Sequence, residues 1–302
     1  MMKKHSSKVF AIALLLVALI SAALAQTKFE TPLGQLPFAG IAVRHDIDSR
    51  CTSNGSSDGN VYHYAQNSAK NNFSVKGAPV ALALSDFTRL QEASQKKIGN
   101  GEIVLKGKYP EDRARLMNLI DVNGKSVGEG SLVTLEAYVF RVQYANTKFN
   151  QDSQNRPGKG EAVDCDNPEL DWNDIHIALA DNASARTDEC TTVTAEISPH
   201  YRPATWDRFH DGLNSDIEAI IPGLLQHRVT FEQKKGDRPI YVRLTGPLFY
   251  DASHTPCKFD GKKITERHGP ERRSIWEIHP VYRIQVRDRN KKWIDFDQWV
   301  KH

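Results

Sequence analysis

The sequence lacks the short motifs by which many catalytic and metal sites are recognised. Its 302 residues contain no His-Glu-x-x-His segment and no Cys-x-x-Cys pair, and no cysteine lies beside a plausible catalytic base. These absences argue against a zincin-type metalloprotease, a zinc ribbon and a cysteine protease of the usual patterns. We also predict no serine nucleophile elbow, no bound metal and no cofactor.

The sequence has no long apolar run other than the one near its N-terminus. Residues 1–8 are cationic, residues 9–20 are apolar, and small residues up to Ala25 suit cleavage. An apolar run of this length is too short to span a membrane but is typical of a secretory signal peptide. We therefore predict a Sec-type signal peptide over residues 1–25. The mature bacterial protein is expected to be exported, periplasmic or secreted, without stable membrane insertion.

Without the predicted signal peptide, the chain has no excess of positive or negative charge. The formal net charge is +3, and the signal peptide carries three lysines and no acidic residue, so the chain that remains is formally neutral. A neutral chain has no global field that would draw it onto nucleic acid or an anionic membrane. Composition therefore does not favour a dedicated nucleic-acid-binding protein.

Four cysteines are present, all of them outside the signal peptide. An even number in an exported protein favours two disulfides, and four cysteines allow three connectivities. Cys165 and Cys190 flank the same pair of predicted strands, which favours their pairing. Cys51 and Cys257 would then form the second bridge by elimination.

The first part of the mature chain, residues 26–128, reads as an irregular and partly helical region. Residues 85–93 follow a capping residue and have a helical pattern, and residues 110–119 form a second candidate helix with proline in its first turn. We expect this region to pack on the domain that follows it, which we place at residues 129–302.

Alternating apolar and polar residues predict a β-rich domain over residues 129–302. The expected strands cover residues 132–144, 174–179, 191–198, 238–250 and 274–286, and a helix is expected at residues 214–225. The order β-β-β-α-β-β is that of the five-stranded Greek-key barrel known as the OB fold. The predicted class is thus α+β, mainly β, with an OB-like barrel at the C-terminal end. A generic β-sandwich or another α+β domain is the alternative.

Several separated segments resemble a family of exported bacterial proteins. They contain the motifs Asp-Ile-His-Ile-Ala-Leu (174–179), Ala-Glu-Ile-Ser-Pro-His (195–200) and Ser-Ile-Trp-Glu-Ile-His-Pro-Val-Tyr (274–282). A polar segment with Lys-Asn-Asn-Phe at residues 70–73 extends the resemblance towards the N-terminus. The resemblance implies an OB-like barrel and export but no established reaction.

Acidic residues and histidines gather on one predicted face of the barrel. If Ile175, Ile177, Val193, Ala195, Ile197, Trp276 and Ile278 point into the core, the residues that alternate with them point outward on neighbouring strands. The candidate ligand-binding residues on and beside this polar face are Asp174, His176, Glu196, His200, Arg243, His254, Glu277 and His279.

Three interpretations of the polar face compete. The groups could satisfy one another beneath the N-terminal region, because partly buried polar groups need partners. They could instead bind a ligand, as this surface does in many OB folds, with help from aromatic and basic loop residues. The helpers would be Tyr201, Trp206, Tyr250, Lys258, Lys262, Lys263, Arg267, Arg272 and Arg273. Finally, His176, His279 and Glu196 or Glu277 could hold a metal or activate water.

We predict a non-catalytic binding or interaction module of the cell envelope. Its expected partner is an oligosaccharide, a single strand of nucleic acid or another envelope protein. The alternative function is a metal-dependent or His/Glu-assisted hydrolase of phosphodiesters or glycans that uses the polar face.

Overall fold

A computed structural model describes most of the chain. The described residues are 47–52, 54–149, 154–183, 188–202, 206, 230–232, 239–261, 263–269 and 271–299. They all belong to one compact unit. The predicted signal peptide and the predicted helix at residues 214–225 lie outside the described residues.

The N-terminal part is helical with small hairpins. It contains helices α1 (Ile47–Arg50), α2 (Val61–Lys70) and α3 (Leu84–Gly99), strand β1 (Val80–Leu82), the hairpin of β2 (Leu105–Lys106) and β3 (Tyr109–Pro110), a 3-10 turn (Arg113–Leu116) and the hairpin of β4 (Ile120–Val122) and β5 (Lys125–Val127). The helix expected at residues 85–93 is present and longer. The helix expected at residues 110–119 is wrong, because the Leu116 carbonyl accepts a hydrogen bond from the Glu129 N–H and the helical turn ends there.

Ser126 illustrates how spacing alone can mislead. Gly124-Lys-Ser-Val-Gly128 has the spacing of a nucleophile elbow. The structure places Ser126 on β5, exposed and opposite Asp121 of β4, rather than at a turn between a strand and a helix. The segment is therefore a simple hairpin.

The rest of the chain is mainly β. Its strands are β6 (Leu132–Tyr144), β7 (Ile175–Ala180), β8 (Val193–Ile197), β9 (Thr230–Glu232), β10 (Tyr241–Tyr250), β11 (Lys258–Asp260), β12 (Lys263–Glu266), β13 (Trp276–Ile278), β14 (Arg283–Arg287) and β15 (Trp293–Asp295), with 3-10 turns at Ala162–Asp164, Leu170–Trp172, Glu189–Thr191 and Pro199–Tyr201 and a short α4 (Phe296–Trp299) at the end. The bounds of β6 match the prediction, since the segment is rich in branched and aromatic residues.

Five of these strands close into a barrel in the order β6-β7-β8-β13-β10, and β10 pairs again with β6. The contact between β8 and β13 is parallel, whereas the other four barrel contacts are antiparallel. The sheet continues beyond the barrel through β14 and β15, which follow β10, and through β1, which adds to β6. A mainly β protein with a closed five-stranded barrel is thereby confirmed.

The last predicted strand is interrupted. The structure divides residues 274–286 into β13 and β14, both of which pair with β10. Pro280 lies between them and has no N–H to donate to a neighbouring strand. The chain nevertheless stays attached, since the Val281 N–H donates to the Glu196 carbonyl and the Tyr282 N–H to the Thr245 carbonyl.

The core of the barrel is apolar and shared with the N-terminal part. All of the residues predicted to point inward from β7, β8 and β13 are fully buried. Leu84, Phe87 and Leu90 of α3 join the same cluster. The indole N–H of Trp276 donates to Ser94 Oγ of α3 at 3.3 Å, so the largest core side chain keeps a partner for its polar atom.

Two disulfides are present, but their pairing differs from the prediction. Cys51 bonds Cys165, and Cys190 bonds Cys257. The predicted Cys165–Cys190 bridge is wrong because these residues precede β7 and β8, whose starts lie at opposite ends of an antiparallel pair in which Ile175 faces Ile197. Val193 faces Leu179, four positions along β7 from Ile175, so the two starts are roughly 13 Å apart, beyond the reach of a disulfide. The predicted Cys51–Cys257 bridge is therefore also wrong, because it was inferred by elimination from the first pair.

Among the described residues, each helix is too short or too polar to cross a lipid bilayer.

Candidate functional site

Helix α2 brings a polar surface onto the barrel. Asn60 caps it, because its side-chain oxygen accepts hydrogen bonds from the N–H groups of Tyr62 and His63. Its buried side chains are Gln66, Asn67 and Lys70, all polar or charged. Helices usually bury an apolar stripe, so this one must dock through hydrogen bonds and ion pairs.

Lys70 is the centre of a buried ion cluster. Its Nζ lies 2.9 Å from Asp174 Oδ2, 2.9 Å from Glu196 Oε2 and 3.0 Å from Glu161 Oε2. Burial alone would lower the pKa of Lys70, but the three carboxylates raise it well above its usual value. The ammonium therefore remains charged inside the protein. We call Lys70, Glu161, Asp174, His176, Glu196 and His279 the Lys70 cluster.

His279 is held as an imidazolium by its contacts. Its Nδ1 lies 2.6 Å from the Lys70 carbonyl oxygen, which can only accept, and its Nε2 lies 3.2 Å from both Asp174 Oδ2 and Glu196 Oε2. Both ring nitrogens must therefore donate. Burial alone would lower the pKa of His279, but Asp174 and Glu196 raise it from 6.5 to about 9.

The Lys70 cluster is close to electrically balanced. His176 Nε2 lies 3.1 Å from Glu196 Oε1, and Glu196 and Glu161 raise the pKa of His176 against the effect of burial. Lys70 and His279, joined by His176 when it is protonated, then face three carboxylates. Although burial alone would raise the pKa values of Asp174 and Glu196, Lys70 and the histidines hold both below their usual range. The cluster is therefore a set of mutually neutralised charges beneath α2.

A second buried polar group continues the Lys70 cluster. Gln66 Nε2 donates to Asp251 Oδ1 at 3.2 Å, and the Asp251 carboxylate contacts His254. Beside it, the Arg272 guanidinium contacts the Glu277 carboxylate, both fully buried. Burial raises the pKa of Glu277, and the Arg272 charge opposes that rise. Each charged group here has an opposite partner.

The structure separates the eight predicted ligand-binding residues into four places. Asp174, His176, Glu196 and His279 lie in the Lys70 cluster, and His254 and Glu277 lie in the adjoining group. His200 is buried, with its N–H bonded to Ser198 Oγ. Arg243 does not join them, because it lies on the half of β10 that pairs with β14 rather than β13.

Most of the aromatic and basic residues that were predicted to assist ligand binding are buried or form ion pairs. Trp206 and Tyr250 are buried, while the side chain of Tyr201 and residue 262 lie outside the described part of the chain. Lys258 Nζ lies 2.5 Å from Glu266, and Arg267 contacts Asp188 and Glu271. The basic loop thus consists largely of ion pairs.

Sequence reasoning missed Lys70 as a site residue. The only signal was the Lys-Asn-Asn-Phe segment at residues 70–73, where Asn71 and Phe73 are also buried. The contacts of Lys70 join it to residues about a hundred positions away in the chain, and local pattern does not reveal such a contact.

An accessible surface lies on the outer side of β6, β10, β14 and β15. Three rings and three arginines share this sheet face with two acids and Gln285. We call it the tyrosine–arginine face, formed by Tyr138, Tyr241, Trp293, Arg243, Arg283, Arg287, Glu136, Asp295 and Gln285. Tyr138 and Tyr241 have ring centroids 4.6 Å apart, and Arg243 lies 4.1 Å above the Trp293 ring.

A cleft of about 1050 Å³ separates α3 from the β11–β12 hairpin. Gln91, Gln95 and Glu92 line one side, and Thr255 and Phe259 line the other. The Gln91 side chain is already used, because its Oε1 accepts from the Ile275 N–H at 2.9 Å.

Comparison of the chain with family models, with curated proteins and with solved structures gives no match. The functional assignment therefore rests on geometry and chemistry.

The Lys70 cluster predicts a loss of stability at alkaline pH. Since folding raises the pKa of His279 from 6.5 to about 9, its contribution is fully present below pH 6.5 and is lost as the pH rises through about 9. The free energy of unfolding should fall by on the order of 1–3 kcal/mol across this window. Urea titrations at several pH values measure this, and His279→Gln should flatten the profile. A parent profile that is flat over this window would contradict the assignment.

Proposed function

We propose that this chain is an exported protein of the bacterial cell envelope that acts as a non-catalytic binding or interaction module on an OB-type barrel. The observation that carries this proposal is the position of Lys70. Its ammonium lies between Asp174 and Glu196, the residues that would otherwise be the best catalytic acids. A ligand could not contact these carboxylates without displacing α2.

Strand order supports the OB assignment. Numbered along the chain, the barrel strands β6, β7, β8, β10 and β13 are the first to the fifth, so the closed order is one-two-three-five-four. In this arrangement the third and fifth strands run parallel, as β8 and β13 do. The connection between the fourth and fifth strands carries the β11–β12 hairpin, and OB folds bind ligands with this loop and with the barrel surface.

The disulfides support export. Cys51–Cys165 and Cys190–Cys257 leave no free cysteine in the chain. Stable disulfides are typical of the periplasm and of secreted proteins. This fits the N-terminal signal peptide predicted over residues 1–25.

The hydrolase alternative requires a metal or an activating base, and the charges weigh against both. Glu161, Asp174, His176 and Glu196 are close enough to hold a cation, but the Lys70 ammonium already occupies the centre of this set. His279, as an imidazolium, has no lone pair with which to accept a proton.

We expect the purified protein to carry no stoichiometric metal, and Zn²⁺, Mg²⁺, Mn²⁺ or Ca²⁺ should leave its melting temperature unchanged. The reason is that a divalent cation would have to displace a charged lysine from the same carboxylates. Elemental analysis and thermal melts with and without chelator measure this. A stoichiometric metal, or a rise in melting temperature that His176→Ala abolishes, would contradict the proposal.

Binding itself is tested on envelope material. The mature protein should sediment with purified cell envelopes in a saturable way, and chelator should not release it. Phosphodiester and glycan substrates should remain intact in its presence. Failure to bind saturably would overturn the binding module, and hydrolysis lost in His176→Ala would establish the enzyme instead.

A further inference from the structure

We infer that the tyrosine–arginine face binds a glycan chain, laid across the strands with its sugar rings against Tyr138, Tyr241 and Trp293. This inference rests on the proposed binding function and names its surface and ligand class. It concerns a different surface from the Lys70 cluster, whose charged groups already form ion pairs with one another.

The rings form a row across four strands. Tyr138 of β6 faces Tyr241 of β10, and Arg287 of β14 faces Trp293 of β15. The Tyr241 and Trp293 centroids are 5.8 Å apart, and Arg287 lies 5.6 Å from the Tyr241 centroid. Four adjacent strands extend roughly 14 Å, long enough for a few sugar units. The C–H faces of pyranose rings pack on aromatic rings of this kind.

A polar row runs parallel to the ring row, two residues along each strand. It contains Glu136, Arg243, Gln285 and Asp295, which face one another in that order across the sheet. Carboxylates accept hydrogen bonds, guanidinium groups donate them and the amide does both. Sugar hydroxyls donate and accept, so one edge of a glycan on the ring row finds both kinds of partner.

The face is open to solvent. The side chains of Arg243, Glu136, Asp295 and Arg283 are between 30% and 49% exposed. Tyr138, Tyr241 and Trp293 are each partly exposed despite their size. The polar row and the exposed edges of the rings can therefore be reached without moving any described part of the chain, whereas the Arg243 guanidinium must move to free the face of Trp293 that it covers.

The charges favour a glycan over nucleic acid. Arg243 Nη2 lies 2.6 Å from Glu136, and Arg283 Nε lies 2.7 Å from Asp295, so two of the three arginines are already neutralised. Only Arg287 has no ion pair within the described residues. A nucleic-acid strand needs several unpaired cations to neutralise its phosphates, and the two carboxylates would repel it.

The same ion pairs weigh against a protein partner. The centre of a protein–protein interface is depleted of charged residues, although its rim is polar. Here the Arg243–Glu136 pair joins β6 and β10, two of the four strands of the face, directly beside the tyrosines. A protein partner would bury this pair, whereas a glycan would bond to its outer edge.

Cosedimentation tests the inference with two probes, insoluble peptidoglycan sacculi and chitin, with soluble chitohexaose as competitor. The full mature protein should bind at least one polymer. Trp293→Ala and Tyr241→Ala should each weaken binding by about tenfold or more, and Trp293→Phe should retain most of it. The matched control is Tyr64→Ala, because Tyr64 is 50% exposed on α2, away from the face. Thermal melts verify that each variant folds.

The outcomes are distinguishable. If Trp293→Ala and Tyr241→Ala bind either polymer as tightly as Tyr64→Ala does, the glycan site lies elsewhere and only the inference fails. If neither polymer binds but a labelled single-stranded DNA does, with loss in the same variants, the face is a nucleic-acid platform. If neither binds and light scattering shows a dimer that Trp293→Ala dissociates, the face is a self-association surface. If nothing binds even whole envelopes, the proposed function itself fails.

Discussion

Replacing Lys70 with methionine should lower the free energy of unfolding by about 3–5 kcal/mol. The substitution keeps most of the side-chain volume but leaves Asp174, Glu196 and Glu161 without the ammonium that lies within 3.0 Å of each. The three buried carboxylates would then face at most the two histidines, so the uncompensated charge must be removed by protonation or by loss of the fold around it. Urea or guanidinium titration at pH 7 measures the change.

Two further variants make this result specific to the charge. Lys96→Met removes an exposed lysine from α3 and should change the free energy of unfolding by less than about 0.5 kcal/mol. Adding Glu161→Gln to Lys70→Met should restore part of the loss, because one carboxylate is removed with the lysine while Asp174 and Glu196 still hold His279. If Lys70→Met is as stable as Lys96→Met, Lys70 is not the centre of the cluster.

Removing the Cys51–Cys165 disulfide should destabilise the protein by about 2–5 kcal/mol. This bridge closes a segment with a sequence separation of 114, the longer of the two, and it fastens α1 to the loop before β7. The double variant Cys51→Ser/Cys165→Ser avoids leaving a reactive thiol. Reducing agent should lower the melting temperature of this variant less than that of the parent protein. The remaining decrease would come from the Cys190–Cys257 bridge.

Peptide mapping without reduction is the control for this prediction. It should recover peptides that join Cys51 to Cys165 and Cys190 to Cys257. Recovery of a Cys165–Cys190 peptide would show that the pairing in the structure is wrong. An unchanged free energy of unfolding in the double variant would show that α1 does not depend on the bridge.

The strands could be predicted because their signal is local. In β6, β7 and β8, branched and aromatic residues alternate with polar ones, so the inward residues Ile177 and Ala195 follow from period alone. Helix α3 was predicted from the spacing of its apolar residues, although it begins at Leu84 after Ala83, which makes no side-chain capping bond. Each of these elements is determined by neighbours within a few residues.

Helix α2 and its lysine could not be predicted in the same way. Its buried face is polar, so neither hydrophobic periodicity nor burial propensity identifies it. The position of Lys70 depends on Asp174 and Glu196, which come from other elements far along the chain. The prediction of the disulfide pairing was wrong for the same reason, because the pairing depends on how the loops run in three dimensions.

Arg243 shows how a strand can serve two surfaces. The sequence places it beside the polar face because Val242 and Leu244 point into the core, and that alternation is correct. What alternation cannot show is that β10 pairs with β13 along one half and with β14 along the other. Arg243 lies on the second half, so its neighbours are Glu136 and Trp293.

The most direct test of the Lys70 cluster is an NMR titration of the His279 ring nitrogens in the full mature protein, with the signals assigned by comparison with His279→Gln. The structure predicts that both nitrogens stay protonated at neutral pH and that the pKa is about 9, because Nδ1 donates to the Lys70 carbonyl and Nε2 to the carboxylates of Asp174 and Glu196. A neutral ring at pH 7, titrating near 6.5, would contradict this. It would return His279 to the candidates for a catalytic base.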